Sequence, residues 1–206
     1  MRWDNLFDDL ESQLEQELDA EQLDLLAEEE RLRLGRLSLR DRLMSISASQ
    51  PKDAAAAIRI RLITGSTLAV QPTTFGKDWL AADLVDARPP SQCILPLAAI
   101  ASVSLSAAQM EASVEPAAAS GPGALPNASG GRFIDRIGLP FVLRDLCRRR
   151  ASLELVTTSA TVYGTIDRVG RDHLDLAVHE PGSSRRAANV TDQRIIPLET
   201  IMMVRV

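Results

Sequence analysis

Residues 164–176 read GTIDRVGRDHLDL, and residues 70–82 read VQPTTFGKDWLAA. Gly76-Lys77-Asp78-Trp79-Leu80 lines up with Gly170-Arg171-Asp172-His173-Leu174 at an offset of 94 residues. The echo continues downstream, where Ile94-Leu95-Pro96-Leu97 with Ile100 and Val103 matches Ile195-Ile196-Pro197-Leu198 with Ile201 and Val204 at an offset of 101. The extra residues fall in the polar loop PGSSRRAANVTDQR, where an insertion disturbs no packed element. Upstream, Leu39-Arg40-Asp41 returns as Leu143-Arg144-Asp145. Each unit reads as a helix, about five strands and an I/L-P-L-x-x-I-x-x-V ending, so an internal duplication is the economical explanation.

The residues of the phrase have structural uses. Gly164 suits a sharply bent strand, where a side chain obstructs curling. Gly76 and Gly170 are expected in hairpin turns, supplying positive φ, with Asp78 and Asp172 capping the turns. Ile58, Ile60 and Leu62 alternate with arginines, the period of a half-buried strand. Leu174, Leu176 and Val178 repeat that alternation, which places Asp175 and Ala177 on the other face.

Outside the units the composition changes. Residues 1–30 carry twelve acids and Arg2, whereas residues 31–206 carry sixteen acids and twenty-two bases. An acidic arm thus precedes a mildly basic body, an asymmetry typical of an interaction segment. Within the arm Trp3, Leu6, Leu10, Leu14 and Leu18 recur at helical spacing with Phe7 beside them, and Leu23, Leu26, Leu34 and Leu37 form a second apolar set. Residues 106–131 are rich in Ala, Ser, Gly and Pro without apolar periodicity, and are expected to be disordered. The expected organisation is an acidic helical arm (1–37), a first helix-plus-barrel repeat (38–105), a linker (106–131) and a second repeat (132–206).

A short helix followed by G-x-I-x-x-V-G-x-D-x-L-x-L and a closing IPLETI resembles the Sm-like fold, an SH3-type five-stranded barrel. The resemblance covers 38–105 and, better, 140–206. It implies a mainly β protein with N-terminal α structure, two small tandem Sm-like or SH3-like barrels following the arm. A PRC-type barrel suits the same residues, and strand order separates the two. The whole chain resembles an uncharacterised actinobacterial family with an acidic MRWDxLFxDLE opening, which implies no activity. Sm-like proteins hold RNA through an Asn and an Arg-Gly pair. Asp175 stands near the Asn position and Ile195-Ile196 near the pair, and an Asp repels phosphate, so uridine binding is not carried over.

The chemistry-bearing residues are few. His173 and Asp175 share a strand face, but Trp79 and Ala81 replace them in the first unit, so the phrase does not need a triad. His173, His179, Asp172 and Glu180 match no ligand spacing. Cys93 and Cys147 sit among apolar residues and read as buried hydrophobes. No enzyme site, metal or cofactor is expected. The opening MRWDNLFDDLE carries acids where a signal peptide has an apolar run, no spanning segment is visible, and a cytoplasmic chain is expected.

Two binding readings remain. The first is a non-enzymatic adaptor whose arm (Trp3, Leu6, Phe7, Leu10, Leu14, Leu18) contacts a protein partner or forms a self-associating coiled coil. Its repeats offer pairing surfaces, and the ending MMVRV is expected as an exposed edge strand. The alternative is an RNA- or DNA-associated regulator using Arg148, Arg149, Arg150, Arg185 and Arg186 against phosphates.

Overall fold

The computed structural model describes residues 21–49, 57–85, 87–115 and 133–206. The chain divides into two compact units at Ser38. In the first, residues 21–36 form helix α1, closed by a hydrogen bond from Leu37 N to Leu34 O (3.2 Å). Trp3, Leu6, Phe7, Leu10, Leu14 and Leu18 lie outside the described residues.

The second unit begins with α2 (Leu39–Ser49), which turns Leu43 and Ile46 into the core. Five strands follow: β1 (Ile58–Leu62), β2 (Thr67–Phe75), β3 (Trp79–Leu84), β4 (Ser91–Pro96) and β5 (Ile100–Ser104). After α3 (Ala107–Val114) and α4 (Leu139–Arg148) come β6 (Ser152–Thr157), β7 (Thr161–Val169), β8 (His173–Val178), β9 (Asp192–Pro197) and β10 (Ile201–Arg205). β1 buries Ile58, Ile60 and Leu62 and exposes Arg59 and Arg61, as its alternation demands.

The expectation of two closed five-stranded barrels is not met. The ten strands form one open antiparallel sheet in the order β5-β1-β2-β3-β4-β10-β6-β7-β8-β9. Each half keeps the same internal order, but β4 and β5 do not close on each other. The I/L-P-L-x-x-I segment is the reason. Pro96 ends β4 and Pro197 ends β9 in the extended region, and a single 3₁₀ turn (Leu97–Ala99, Leu198–Thr200) throws the chain to the far side of its half. The edge that β4 leaves open is taken by β10, pairing Ile94 with Val204 and Cys93 with Arg205. The C-terminal strand is therefore central in the sheet, between β4 and β6, and not the expected edge.

Side chains cross that seam in both directions. Trp79 and Ile94 join the apolar cluster built on Leu143, Leu155, Ile166 and Leu174 of the second half. Met202 and Met203 join the cluster of Leu43, Ile60, Leu80 and Leu95 in the first. Burying apolar area across the seam stabilises a joint sheet over separate halves, at about 25 cal/mol per Å² removed from water. Cys93 lies in this seam, and burial pushes its thiol up to about 12. We expect Cys93 to resist alkylation at pH about 8, since a thiol rather than a thiolate is present. Mass spectrometry of native and urea-unfolded protein checks this, with modification of Cys93 expected only after unfolding.

The halves match down to their irregularities. A bulge at Thr73 between β2 and β3 recurs at Asp167 between β7 and β8. Another, at Ala101 in the β1–β5 pair, recurs at Met202 in the β6–β10 pair. Gly164 is required by close approach, because a Cβ there sits 2.4 Å from the Ala177 carbonyl oxygen. Gly76 and Gly170 do not adopt the expected positive φ. They lie instead under aromatic rings, and an added Cβ falls 2.1 Å from Trp79 Nε1 and 2.7 Å from His173 Cε1 respectively.

Residues 107–114 are helical, although 106–131 reads as a linker. Ser106 and Gln109 form a reciprocal capping box, Oγ accepting from Gln109 N (3.2 Å) and Oε1 from Ser106 N (2.9 Å). Arg42 of α2 then donates to Ser113 Oγ at 2.8 Å, seating α3 against α2. Residues 116–131 of that stretch lie outside the described residues. Among the described residues, no helix is long and apolar enough to cross a membrane.

Candidate interaction surfaces

The bulge in β7 is the origin of a polar concavity. An extra residue on one strand re-aims its side chain, and here it turns the Asp167 carboxylate out of the ladder. Arg185 closes on it with two charge-assisted bonds, Nε to Oδ1 at 2.9 Å and Nη2 to Oδ2 at 2.5 Å. Arg150 Nη1 approaches the same carboxylate at 3.6 Å. Arg150 holds φ at 54° just beyond α4, while Ala151 N reaches back to Leu146 O and Arg150 N to Cys147 O. That is the bond pattern of a Schellman ending, with an arginine where glycine is usual. Arg168 and Asp175, opposite each other on β7 and β8, and Arg194 on β9 complete a groove of about 620 Å³.

Its lining holds four arginines and two aspartates. The surplus positive charge is small, and most of it is already engaged. Arg194 Nε bonds Asp192 Oδ2 at 2.8 Å. Arg168 is exposed and its side chain, among the described residues, makes no hydrogen bond or ion pair. The Arg185 bonds hold the Asp167 carboxyl below the usual carboxylate range, and the charges of Arg185, Arg150 and Arg168 add to this. A depressed folded-state value stabilises the fold above the unfolded carboxylate's titration and loses that contribution as pH falls through it. We therefore expect the loss of stability from about pH 5 to about pH 3 to be smaller in Asp167→Asn than in the wild-type chain. Urea midpoints measured across that range check it.

Of the five arginines picked out in the sequence, Arg150 and Arg185 enter this groove. Arg148 and Arg149 both turn to Asp145, Arg149 Nε lying 2.6 Å from Oδ2, so they neutralise a carboxylate at the end of their own helix. Arg186 is exposed on the loop. Arg168 and Arg194 escaped the sequence reading because they stand singly in strands. Only the folded register sets them beside the others.

The histidines are separately engaged. His179 is buried, with Nε2 2.9 Å from Thr165 Oγ1 and Nδ1 3.1 Å from Glu180 O. Because a carbonyl only accepts, Nδ1 carries the proton and Nε2 accepts from the Thr165 hydroxyl. Ser183 donates its hydroxyl to Glu180 O (2.8 Å), so it is not offered to His179 for deprotonation. Ala177, expected on the face of β8 away from Leu174 and Leu176, is buried as they are. His173 Nδ1 lies 2.8 Å from Asp172 Oδ1 at the exposed turn. Among the described residues no cluster of three or more His, Cys, Asp or Glu side chains is placed to hold a metal.

The repeated phrase is a latch. Arg40 Nε donates to Gly76 O at 2.6 Å, and Arg144 Nη2 to Gly170 O at 3.3 Å, so each half ties a helix to its phrase glycine. In the first half the phrase also grips the chain entering α4. Trp79 Nε1 and Lys77 N both donate to Ile137 O at 2.9 Å, and Asp78 Oδ1 accepts from Leu139 N at 2.8 Å. In the second half Asp172 and His173 remain exposed.

On α1, taken by itself, Leu23 and Leu26 are 67% and 61% exposed on one face, with Leu34 a further two turns along. Glu30 on the same side is engaged by Arg33 through two bonds of 2.6 Å. Leu25 and Leu32 are exposed on the opposite side. Family models, curated proteins and solved structures were compared with the chain, and none matches it.

Proposed function

We propose that the protein is a non-enzymatic adaptor whose acidic, leucine-bearing helix contacts a protein partner while the ten-stranded sheet serves as its scaffold. The observation that carries this reading is the exposed leucine face of α1. Most helical stability in proteins comes from packing an apolar face rather than from propensity, and Leu23, Leu26 and Leu34 offer such a face. The acids Glu21, Asp24, Glu28 and Glu29 around them favour a basic rim on the partner.

The second reading, association with nucleic acid, is favoured by the groove's four arginines and by Arg168, whose side chain has no partner among the described residues. It is the weaker of the two, because Arg148, Arg149, Arg185 and Arg194 are each bonded to carboxylates of this chain. Phosphate contacts must compete with those bonds. The two readings separate in a crosslinking pulldown of the full chain and of Leu23→Glu/Leu26→Glu, each with and without nuclease. Glutamate keeps helix propensity, so the variant removes the apolar contact without unwinding the helix, and its added negative charge does not weaken attraction to a basic rim. Loss of the captured protein in the variant, unaffected by nuclease, supports the adaptor. Capture that survives the substitutions and vanishes with nuclease overturns it in favour of the groove.

A further inference from the structure

We propose that Arg171, Asp172 and His173, backed by Arg144, form a docking slot for the start of a helix in a partner protein. The segment it takes has the form Asp-x-apolar-Gly-apolar. The slot does not involve α1, so the inference goes beyond the adaptor reading.

The precedent is α4, whose N-cap is Gly138, a residue without a side chain to accept from the first N–H groups. Asp78 supplies that cap from the first half, Oδ1 accepting from Leu139 N at 2.8 Å. A carboxylate there also meets the positive end of the helix dipole. Just before the cap, Ile137 O accepts from both Lys77 N and Trp79 Nε1. Arg40 completes the grip. Its Nε holds Gly76 O, while Nη2 reaches Asp135 Oδ1 of the entering segment at 2.6 Å. These groups read an acid, a carbonyl two residues on, and an amide two residues after that.

The second half keeps the same frame. Gly170 N donates to His173 O at 2.8 Å, as Gly76 N does to Trp79 O at 2.9 Å. Leu198 N donates to Asp172 O at 2.8 Å, as Leu97 N does to Asp78 O at 2.9 Å. The His173 ring lies against Gly170 as Trp79 lies against Gly76, and Arg144 holds Gly170 O as Arg40 holds Gly76 O. The turn therefore aims the same groups outward: Arg171 N, the Asp172 carboxylate and a ring nitrogen. Arg171 N and His173 Nε2 have no hydrogen-bond partner among the described residues. Asp172 Oδ1 bonds His173 Nδ1. Turning the carboxylate to a helix N–H releases the ring to donate from Nε2 to a carbonyl.

Apolar exposure points the same way. Ile94 shares a cluster with Trp79, Ile137 and Leu139, and its counterpart Ile195 is 73% exposed. Ile195 offers a seat to the partner's residue corresponding to Ile137. The occupant is a different protein. A second copy has its own 135–139 engaged by Trp79 and Asp78, and its other Leu-Gly pair, Leu34-Gly35, follows Leu32 where the slot reads an acid. His173 is smaller than Trp79 and more exposed, so less apolar area is buried and docking is reversible where the first grip is permanent.

The probe is a labelled peptide with the sequence of residues 133–140, FIDRIGLP, titrated into the full chain and followed by fluorescence anisotropy. The first grip is held by its tethered segment at an effective concentration above that of the free peptide, so the second slot is the one it meets. Saturable binding below about 1 mM is expected. Asp172→Ala should weaken it at least about fivefold through loss of the cap. His173→Trp, which restores the indole of the first half, should tighten it by a similar factor of about five. Replacing the peptide's aspartate by alanine should weaken binding to the wild-type chain but not to Arg144→Ala, which places that acid against Arg144. Asp172, His173 and Arg144 are all exposed, so folding is not at stake. Leu23→Glu/Leu26→Glu should bind the peptide as the wild-type chain does. Loss of binding there assigns the peptide to α1 and overturns the slot. No saturable binding by either the wild-type chain or His173→Trp, or binding that Asp172→Ala leaves intact, also overturns it while leaving the adaptor reading standing.

Discussion

Val204→Asp is expected to unfold the second unit as a whole. Val204 is fully buried and pairs Ile94 on one side and Leu155 on the other, at the one place where both halves of the sheet meet. An aspartate there forfeits the valine's burial and places a carboxylate among apolar side chains with no cation to receive it. Arg205, the next residue along β10, points to the other face of the strand, where it bonds Glu154 at 3.0 Å. Together these effects cost more than about 4 kcal/mol, from loss of burial and desolvation of charge. That is a large share of the roughly 5–15 kcal/mol available to an ordinary domain. Urea denaturation followed by circular dichroism measures it. A variant retaining one half's transition at its wild-type midpoint shows that the halves are independent, contrary to the shared core.

Gly76→Ala and Gly170→Ala are expected to differ sharply, although the two glycines occupy the same place in the repeated phrase. Neither has positive φ, so the backbone accepts alanine at both positions. The difference lies in the ring overhead. Trp79 is buried and its Nε1–H is held by Ile137 O, so a methyl group under it must expel the ring from its cluster and break that bond. The expected cost is about 3 kcal/mol, from lost packing and the lost Trp79 hydrogen bond, Lys77 N still donating to Ile137 O. His173 is half exposed and its ring can swing into water, so Gly170→Ala should cost under about 1 kcal/mol. Comparable midpoints for the two variants show that the ring is not what holds Gly76 in place.

Much of this architecture is legible in the sequence. The alternation of Ile58, Ile60 and Leu62 marks a strand, and the phrase and the P-L-x-x-I ending mark two similar units. What the pattern could not show is where the fifth strand goes. Hydrophobic alternation fixes which face of a strand is buried but says nothing about which edge accepts its hydrogen bonds, so IMMVRV reads equally well closing its own unit or joining the other. The burial of Met202 inside the first half is a long-range fact without a local signal. Ala107–Val114 was hidden by its alanine-rich neighbourhood, although Ser106 and Gln109 carry the capping signature. In the groove, Asp167 reads as an ordinary strand residue until the bulge turns it outward. The exposed leucines of α1 required only helical spacing to be seen.

The seam between β4 and β10 also sets a timetable. Ile94 and Val204 are separated by about 110 residues of chain, and the first half's cluster is incomplete until Met202 and Met203 arrive. During synthesis at about 5–20 residues per second, β4 waits several seconds with its edge bare. Folding governed by such distant pairings is slow. In that interval the nascent first half has an unsatisfied edge of the kind that β9 keeps in the finished molecule, and it is the stage at which holding by a chaperone matters most.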